Sequence, residues 1–211
     1  MSTKLIGFIL LPLYTDYLTT DEYGMLAILE VTSFMLIALV GMRMSTAMMR
    51  WGSAEKSSSR QGSIAFTVFV TILVLGIIFN LLFQPLAGSF SRILFDSKSF
   101  KEYFHVLFLF VSFEVLNVWV LDLISIREKP LFFVFLSLVK FTVVLGLNIY
   151  FIKYQELGVL GIILSQLIGS VLLFLGSLVF TTISMYLLSL GDRYLMKYML
   201  DLGEVGMNAI L

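Results

Sequence analysis

Long apolar stretches, separated by short polar segments, run through the whole sequence. About 20 residues at a rise of 1.5 Å per residue cross a hydrocarbon core of roughly 30 Å, so each stretch is long enough for one transmembrane helix. The stretches are continuously apolar and lack the alternation of a barrel strand. The pattern predicts an all-α polytopic membrane protein with helices at about 4–19, 24–43, 62–83, 103–125, 130–152, 157–179 and 180–200.

The connections between these helices differ in polarity. The segment SFSRILFDSKSFKEY, at 89–103, is long enough to be partly helical, whereas no charged residue occurs from Leu157 to Gly191. Two consecutive spanning helices need a polar reversal, because water must satisfy the backbone groups that the turn releases. We therefore expect a missing segment near 179/180, with one very long helix as the alternative. Residues 1–179 would form one six-helix domain, and 180–211 would start a second.

The composition narrows the class of protein. With 59% hydrophobic residues, 13% charged residues and no net charge, the chain is far from the soluble globular average. It has no cysteine and one histidine, His105, which begins an apolar run and suits a helix end. The sequence also lacks a glycine-rich phosphate loop, a serine/histidine/acid set and a basic nucleic-acid patch. We therefore expect a protein that is not an enzyme, holds no metal or cofactor and binds no nucleic acid.

Positive charges beside the short loops predict the orientation in the membrane. A cytoplasmic N-terminus collects seven Lys and Arg residues on the inner side and leaves five outside, in agreement with the positive-inside rule. The inner set is Lys4, Arg43, Arg50, Lys56, Arg60, Arg127 and Lys129, and the outer set is Arg92, Lys98, Lys101, Lys153 and Lys197. The predicted location is the cytoplasmic membrane, with the N-terminus inside.

One short segment occurs twice. EYGMLAIL at 22–29 and EVGMNAIL at 204–211 agree at six of eight positions. Each copy follows one predicted helix and opens the next, and six helices separate them. An even number of helices keeps both copies in one membrane orientation, as in transporters built from two parallel repeats.

Three segments resemble the polysaccharide biosynthesis or oligosaccharide flippase family. The first hairpin of that family is similar to LLPLYTDYLTTDEYGMLAIL, from residue 10. Its connection into the fifth helix is similar to REKPLFFVFLSLVKF, from residue 127, and its seventh-helix signature is similar to LSLGDRYLMKYMLDLGEVG, from residue 188. The resemblance implies the MATE-like fold of the multidrug/oligosaccharidyl-lipid/polysaccharide superfamily, in which two six-helix lobes surround a central cavity. Here one lobe and the start of the second would be present.

The family resemblance also implies an activity. Its members move polyprenyl-diphosphate-linked oligosaccharides from the cytoplasmic to the outer leaflet, here by alternating access. Because the sequence has no nucleotide motif, the energy would come from an ion gradient such as H⁺ or Na⁺, from the membrane potential or from consumption of the product. The partners would be the lipid-linked oligosaccharide and the bilayer. Two alternatives remain open: an ion-coupled multidrug antiporter of the same superfamily, and a truncated membrane protein that does not transport.

Charged residues inside predicted helices are the candidate site, because an ionisable group in a bilayer costs at least a few kcal/mol and so faces a cavity or a partner. Glu114 and Lys140 lie at similar depth on either side of the REKP turn and could pair, and Asn117 shares a stripe with Glu114. The functional hypothesis is a cavity wall in which Lys140 and Asn117 bind substrate and Glu114 couples an ion. The alternative is a buried pair that only fixes helix packing.

Further candidates come from other helices. Arg193 and Lys197 lie four residues apart on one helix face, and a guanidinium can bind phosphate oxygens with two parallel hydrogen bonds. We expect both to bind substrate, with Asp192 and Glu30 as ion-coupling candidates.

Small residues form a separate pattern. Their four-residue spacing predicts close helix packing at 158–176.

Overall fold

The computed structural model is helical along almost all of the chain that it describes. It describes residues 14–41, 44–54, 58–126 and 130–199, and of 52–53, 58–59, 130 and 180–199 the backbone alone. Residues 14–17 form one helical turn, and a 3-10 turn lies at Gln84–Leu86. The longer helices are α1 (Thr20–Gly41), α2 (Met44–Ala54), α3 (Ser58–Phe83), α4 (Ala87–Phe95), α5 (Lys101–Ile126), α6 (Pro130–Lys153) and α7 (Gly158–Met199).

Five of the described segments are long and apolar enough to cross a membrane. They are Thr20–Gly41, Arg60–Phe95, Lys101–Ile126, Leu131–Lys153 and Gly158–Val179. Their surfaces expose many large apolar side chains, which suit contact with lipid rather than with water. The predicted all-α, multi-pass membrane class is therefore confirmed. Most of the predicted helix at 4–19 lies outside the described residues.

Helix α5 is the centre of the bundle and packs against α1, α2, α3, α4 and α6. It has neighbours on several sides, which explains why its sequence is apolar all round. Phe104 and Phe108 are fully buried. They contact the rings of Phe79, Phe83 and Phe90 from α3 and α4 at centroid distances of 5.5 to 6.0 Å. These aromatic contacts fix one end of α5 against α3 and α4.

Helix α1 begins four residues earlier than the sequence predicted. The backbone N–H and the hydroxyl of Thr19 donate to Glu22 Oε2 at 2.8 and 2.9 Å, and the backbone N–H of Glu22 donates to Thr19 Oγ1 at 3.3 Å. This is a capping box, which satisfies N–H groups that the first helical turn leaves free. The polar TTDE segment therefore belongs to the helix start and is not a separate turn.

Two short helices complete the bundle. Helix α2 lies where no helix was predicted, because its 11 residues are too few to give a membrane-spanning signal. Its Met44 and Met48 fall on one face, and Met48 is buried. Helix α4 confirms that the 89–103 segment is partly helical. It is followed by Asp96, whose φ of 52° is left-handed.

Helix α7 is continuous across the junction at which two helices were expected to meet. Its 42 residues are about twice the number that crosses a hydrocarbon core. No proline or charged residue interrupts the sequence between Leu157 and Gly191, so helical hydrogen bonding has no local reason to stop there. The chain forms two compact units, Met1–Phe174 with the bundle and Leu175–Leu211, whose described part is helical. The division into transporter lobes stays a prediction.

Candidate functional site

An ion pair joins the middle of α5 to the middle of α6. Lys140 Nζ donates to both oxygens of Glu114, at 2.9 Å to Oε1 and 2.6 Å to Oε2. The two side chains are about four-fifths buried, with 19% and 21% of their surface exposed. The sequence predicted that these residues lie at the same depth and could pair, and the structure contains the pair.

A third helix completes the coordination of the carboxylate. Ser170 of α7 donates its hydroxyl to Glu114 Oε2 at 2.7 Å. Asn117, one turn after Glu114 on α5, donates its side-chain amide to the backbone carbonyl of Ser170 at 3.0 Å. We call Glu114, Lys140, Ser170 and Asn117 the polar cluster. It links α5, α6 and α7 inside the apolar bundle.

Close packing of α6 against α7 makes this arrangement possible. A Cβ atom on Gly169 would lie 2.3 Å from Val144 Cγ2 and 3.8 Å from Lys140 Cγ. The first distance is far below van der Waals contact, so only glycine fits between the helices at this level. Gly169 thereby lets Ser170 reach the carboxylate. The predicted packing role of the small residues in this segment is confirmed at this position.

The charges of the polar cluster are compensated within it. Lys140 neutralises Glu114, and Ser170 supplies a further hydrogen bond to the carboxylate. Asn117 Oδ1 is buried and has no hydrogen-bond donor in the described part of the chain. It offers an additional acceptor beside the carboxylate.

The other predicted site residues lie elsewhere. Glu30 is exposed on α1 beside a small cavity that also contacts Ser33 and Gln166, and it is outside the polar cluster. Asp192, Arg193 and Lys197 belong to the helical backbone of α7, and their side chains are outside the described residues. The second copy of the repeated segment, at 204–211, is also outside them.

The first copy of the repeat has a structural role. Glu22 caps α1, and its Oε1 is 2.9 Å from the position that a Cβ on Gly158 would occupy. Gly158 has a φ of +52° and begins α7, so the same carboxylate lies at the start of two helices. A negative charge is favourable at a helix N-terminus. The glutamate of the repeat therefore caps α1 and lies beside the first residue of α7.

Two polar features were missed in the sequence. Asp122 lies near the end of α5 and lines an apolar cavity of about 240 Å³, and as an acid within a predicted helix it satisfied the criterion that selected Glu114. A hydrogen-bonded row also joins α5 to the end of α3 and to the 3-10 turn that follows it. His105 Nδ1 contacts Gln84 Oε1 at 2.5 Å, Gln84 Nε2 donates to Asn80 Oδ1 at 3.3 Å, and Asn80 Nδ2 donates to Ser112 Oγ at 2.5 Å. His105 lies in the second turn of α5, in agreement with the predicted helix-end position.

Within the described residues, no group of three His, Cys, Asp or Glu side chains is placed to hold a metal ion. Comparisons of the chain with protein-family models, with curated proteins and with solved structures gave no match. What is established is that the chain belongs to the all-α, multi-pass class of membrane protein.

Proposed function

We propose that this protein is a flippase of the MATE-like fold, which moves a polyprenyl-diphosphate-linked oligosaccharide across the cytoplasmic membrane by alternating access. The N-terminus is cytoplasmic in this proposal, and residues 180–211 begin the second lobe. The observation that carries the proposal is the ion pair between Glu114 and Lys140 in the middle of two membrane-spanning helices. The resemblance to the oligosaccharide flippase family supplies the class of substrate.

The cost of the ion pair supports a functional role. Removing two charges from water costs several kcal/mol per ion, and apolar side chains of similar volume often pack as well or better. Ionisable groups inside membrane proteins usually belong to substrate or ion pathways for this reason. The polar cluster also includes Ser170, and Asn117 Oδ1 is an acceptor without a donor among the described residues, so a polar ligand would find a hydrogen-bonding partner there.

The proposed mechanism exchanges the partner of Lys140. At rest, the ammonium group is held by Glu114. A diphosphate with more than one negative charge competes for Lys140, and the released Glu114 carboxylate binds H⁺ or Na⁺. Arg193 and Lys197, the further substrate-binding candidates, carry basic side chains of the kind that binds phosphate oxygens. Substrate entry and ion uptake are then coupled through one carboxylate.

The test is a leaflet-exchange assay with the purified protein in liposomes and a fluorescent polyprenyl-diphosphate oligosaccharide. We expect Arg193→Ala to lose at least about 90% of the exchange rate while inserting normally, because the bidentate phosphate contact is gone. Lys153→Ala is the matched control, since Lys153 is exposed at the end of α6 and should keep the wild-type rate.

Wild-type exchange by Arg193→Ala would show that the phosphate contact is wrong. A protein that exchanges no sugar lipid but moves a lipophilic cation against a proton gradient would support the antiporter instead. Both results are read in the same liposomes, with insertion checked by protease protection.

A further inference from the structure

A second site lies away from the polar cluster. The apolar cavity of about 240 Å³ is formed by α1, α2, α3 and α5, and Ile37, Met48, Ile72 and Trp119 line it together with Ser45 and Asp122. We propose that this cavity binds the primary ammonium headgroup of an aminophospholipid from the surrounding bilayer. This site goes beyond the proposed transport activity and does not depend on it.

The carboxylate defines the chemistry of the occupant. Asp122 Oδ2 is buried and has no hydrogen-bond donor in the part of the chain that the structure describes. Ser45 is its polar neighbour in a lining that is otherwise almost entirely apolar. An orphan acceptor in such surroundings favours a ligand that brings both a positive charge and N–H donors. A primary ammonium group has three such donors and a small volume.

The position of the cavity identifies the source of the ammonium. Gly41 is the last residue of α1 and lines the cavity, and Met44 begins α2. Asp122 is four residues before the end of α5, which is about 6 Å along the helix axis. Because α1 and α5 both end here, the cavity lies at headgroup depth, and the headgroups of the bilayer are its most abundant neighbours.

The size of the cavity agrees with a small headgroup. Its volume of about 240 Å³ is just below the range of roughly 300 to 1,000 Å³ that is usual for drug-sized ligand sites.

Intrinsic tryptophan fluorescence can measure this binding. It contains two tryptophans, Trp51, which is 66% exposed, and Trp119, which lines the cavity about 4.5 Å deeper than Asp122. In a Trp51→Phe background, all tryptophan emission comes from Trp119. Bromine atoms on the acyl chains quench tryptophan emission at short range. Two lipids with the same brominated chains, phosphatidylethanolamine and phosphatidylcholine, therefore report how strongly each headgroup binds beside the cavity.

We compare brominated phosphatidylethanolamine in unbrominated phosphatidylcholine with brominated phosphatidylcholine in unbrominated phosphatidylethanolamine. From the quenching of Trp119, phosphatidylethanolamine should bind at least about tenfold more tightly than phosphatidylcholine. The quaternary choline group has no N–H and is larger, so it cannot satisfy Asp122 Oδ2. In the Asp122→Asn protein, the binding of the two lipids should differ by less than about twofold. Glu30→Gln, which removes an exposed carboxylate on α1 outside this cavity, should retain the full preference.

A second variant keeps the test decisive if Asp122→Asn does not fold. Ala38→Phe fills the cavity from α1 and leaves the carboxylate in place, so it should also abolish the preference. Equal quenching by the two lipids in the Trp51→Phe protein would overturn the proposal. So would a preference that survives both Asp122→Asn and Ala38→Phe.

Discussion

At the scale of single residues, Glu114 shows how one side chain can serve both packing and chemistry. It accepts hydrogen bonds from Lys140 on α6 and from Ser170 on α7, so it holds three helices together. The same bonds neutralise its charge in an apolar environment. A packing role and a transport role therefore predict different behaviour when one partner or both are removed.

The charge-pair variants separate these roles. Glu114→Gln leaves Lys140 buried without its counter-ion, which should destabilise the protein by about 3 to 5 kcal/mol. Adding Lys140→Met removes the stranded charge and should recover most of the lost Tm. If Glu114 carries the coupling ion, leaflet exchange stays lost in both variants. Tm in detergent and exchange in liposomes are measured on the same preparations.

Exchange that recovers with Tm in the Glu114→Gln, Lys140→Met protein would assign the pair to helix packing alone. The Glu114→Gln protein should then be the worse of the two in both measurements. Glu156→Gln is the matched control, because Glu156 is exposed in the turn between α6 and α7.

At the scale of helices, α6 and α7 are positioned by a close contact that depends on one glycine. Gly169 faces Val144, and the polar cluster is assembled one residue further along α7. Membrane helices associate through such small-residue contacts, because lipid already solvates apolar side chains and burial gives little net gain. Packing shape, more than hydrophobicity, therefore sets the position of Ser170.

This contact can be tested by adding one methyl group. Gly169→Ala should destabilise the protein by about 1 to 3 kcal/mol, the usual cost of overpacking, since its Cβ would lie 2.3 Å from Val144 Cγ2. Val144→Ala in the same chain removes the clash and should restore most of the Tm. Gly146→Ala on α6 is the control, because a Cβ there meets nothing within 4 Å.

An unchanged Tm in Gly169→Ala would mean that the two helices are not in contact at this level. Failure of Val144→Ala to restore the Tm would place the clash elsewhere on α6. Leaflet exchange in the same variants shows whether the spacing of the helices also controls transport.

At the scale of the whole molecule, the orientation in the membrane decides which solution each site meets. The positive-inside count predicts a cytoplasmic N-terminus, which places α2 inside and the turn between α4 and α5 outside. The cavity at Asp122 then opens towards the cytoplasmic leaflet. The proposed transport direction, from inside to outside, requires the same orientation.

The absence of cysteine from the sequence makes this orientation measurable without background. Ser99→Cys, between α4 and α5, should react with a membrane-impermeant maleimide in intact cells. Ala54→Cys, at the end of α2, should react only after permeabilisation. The opposite labelling pattern would invert the predicted topology and with it the direction of transport. Both positions are exposed, so differences in local burial do not affect the comparison.

The sequence by itself determined the class of the protein and the positions of most spanning helices. Length and hydrophobicity of each stretch are local properties, and a bilayer imposes the same length on every helix. The pairing of Glu114 with Lys140 was also predictable, because a short turn fixes the relative depth of two consecutive helices. The capping box at Thr19 and Glu22 was readable in the same way, although the predicted boundary at 24 missed it.

Only the tertiary structure decided which neighbours share each site. Ser170 joins the polar cluster because α7 rotates that face towards α5, and Glu30, which the sequence ranked as an ion-coupling candidate, lies outside it. Asp122 became a candidate through the cavity around it. Rotation and separation of helices that are distant in sequence depend on packing between all of them, so no single segment specifies these contacts.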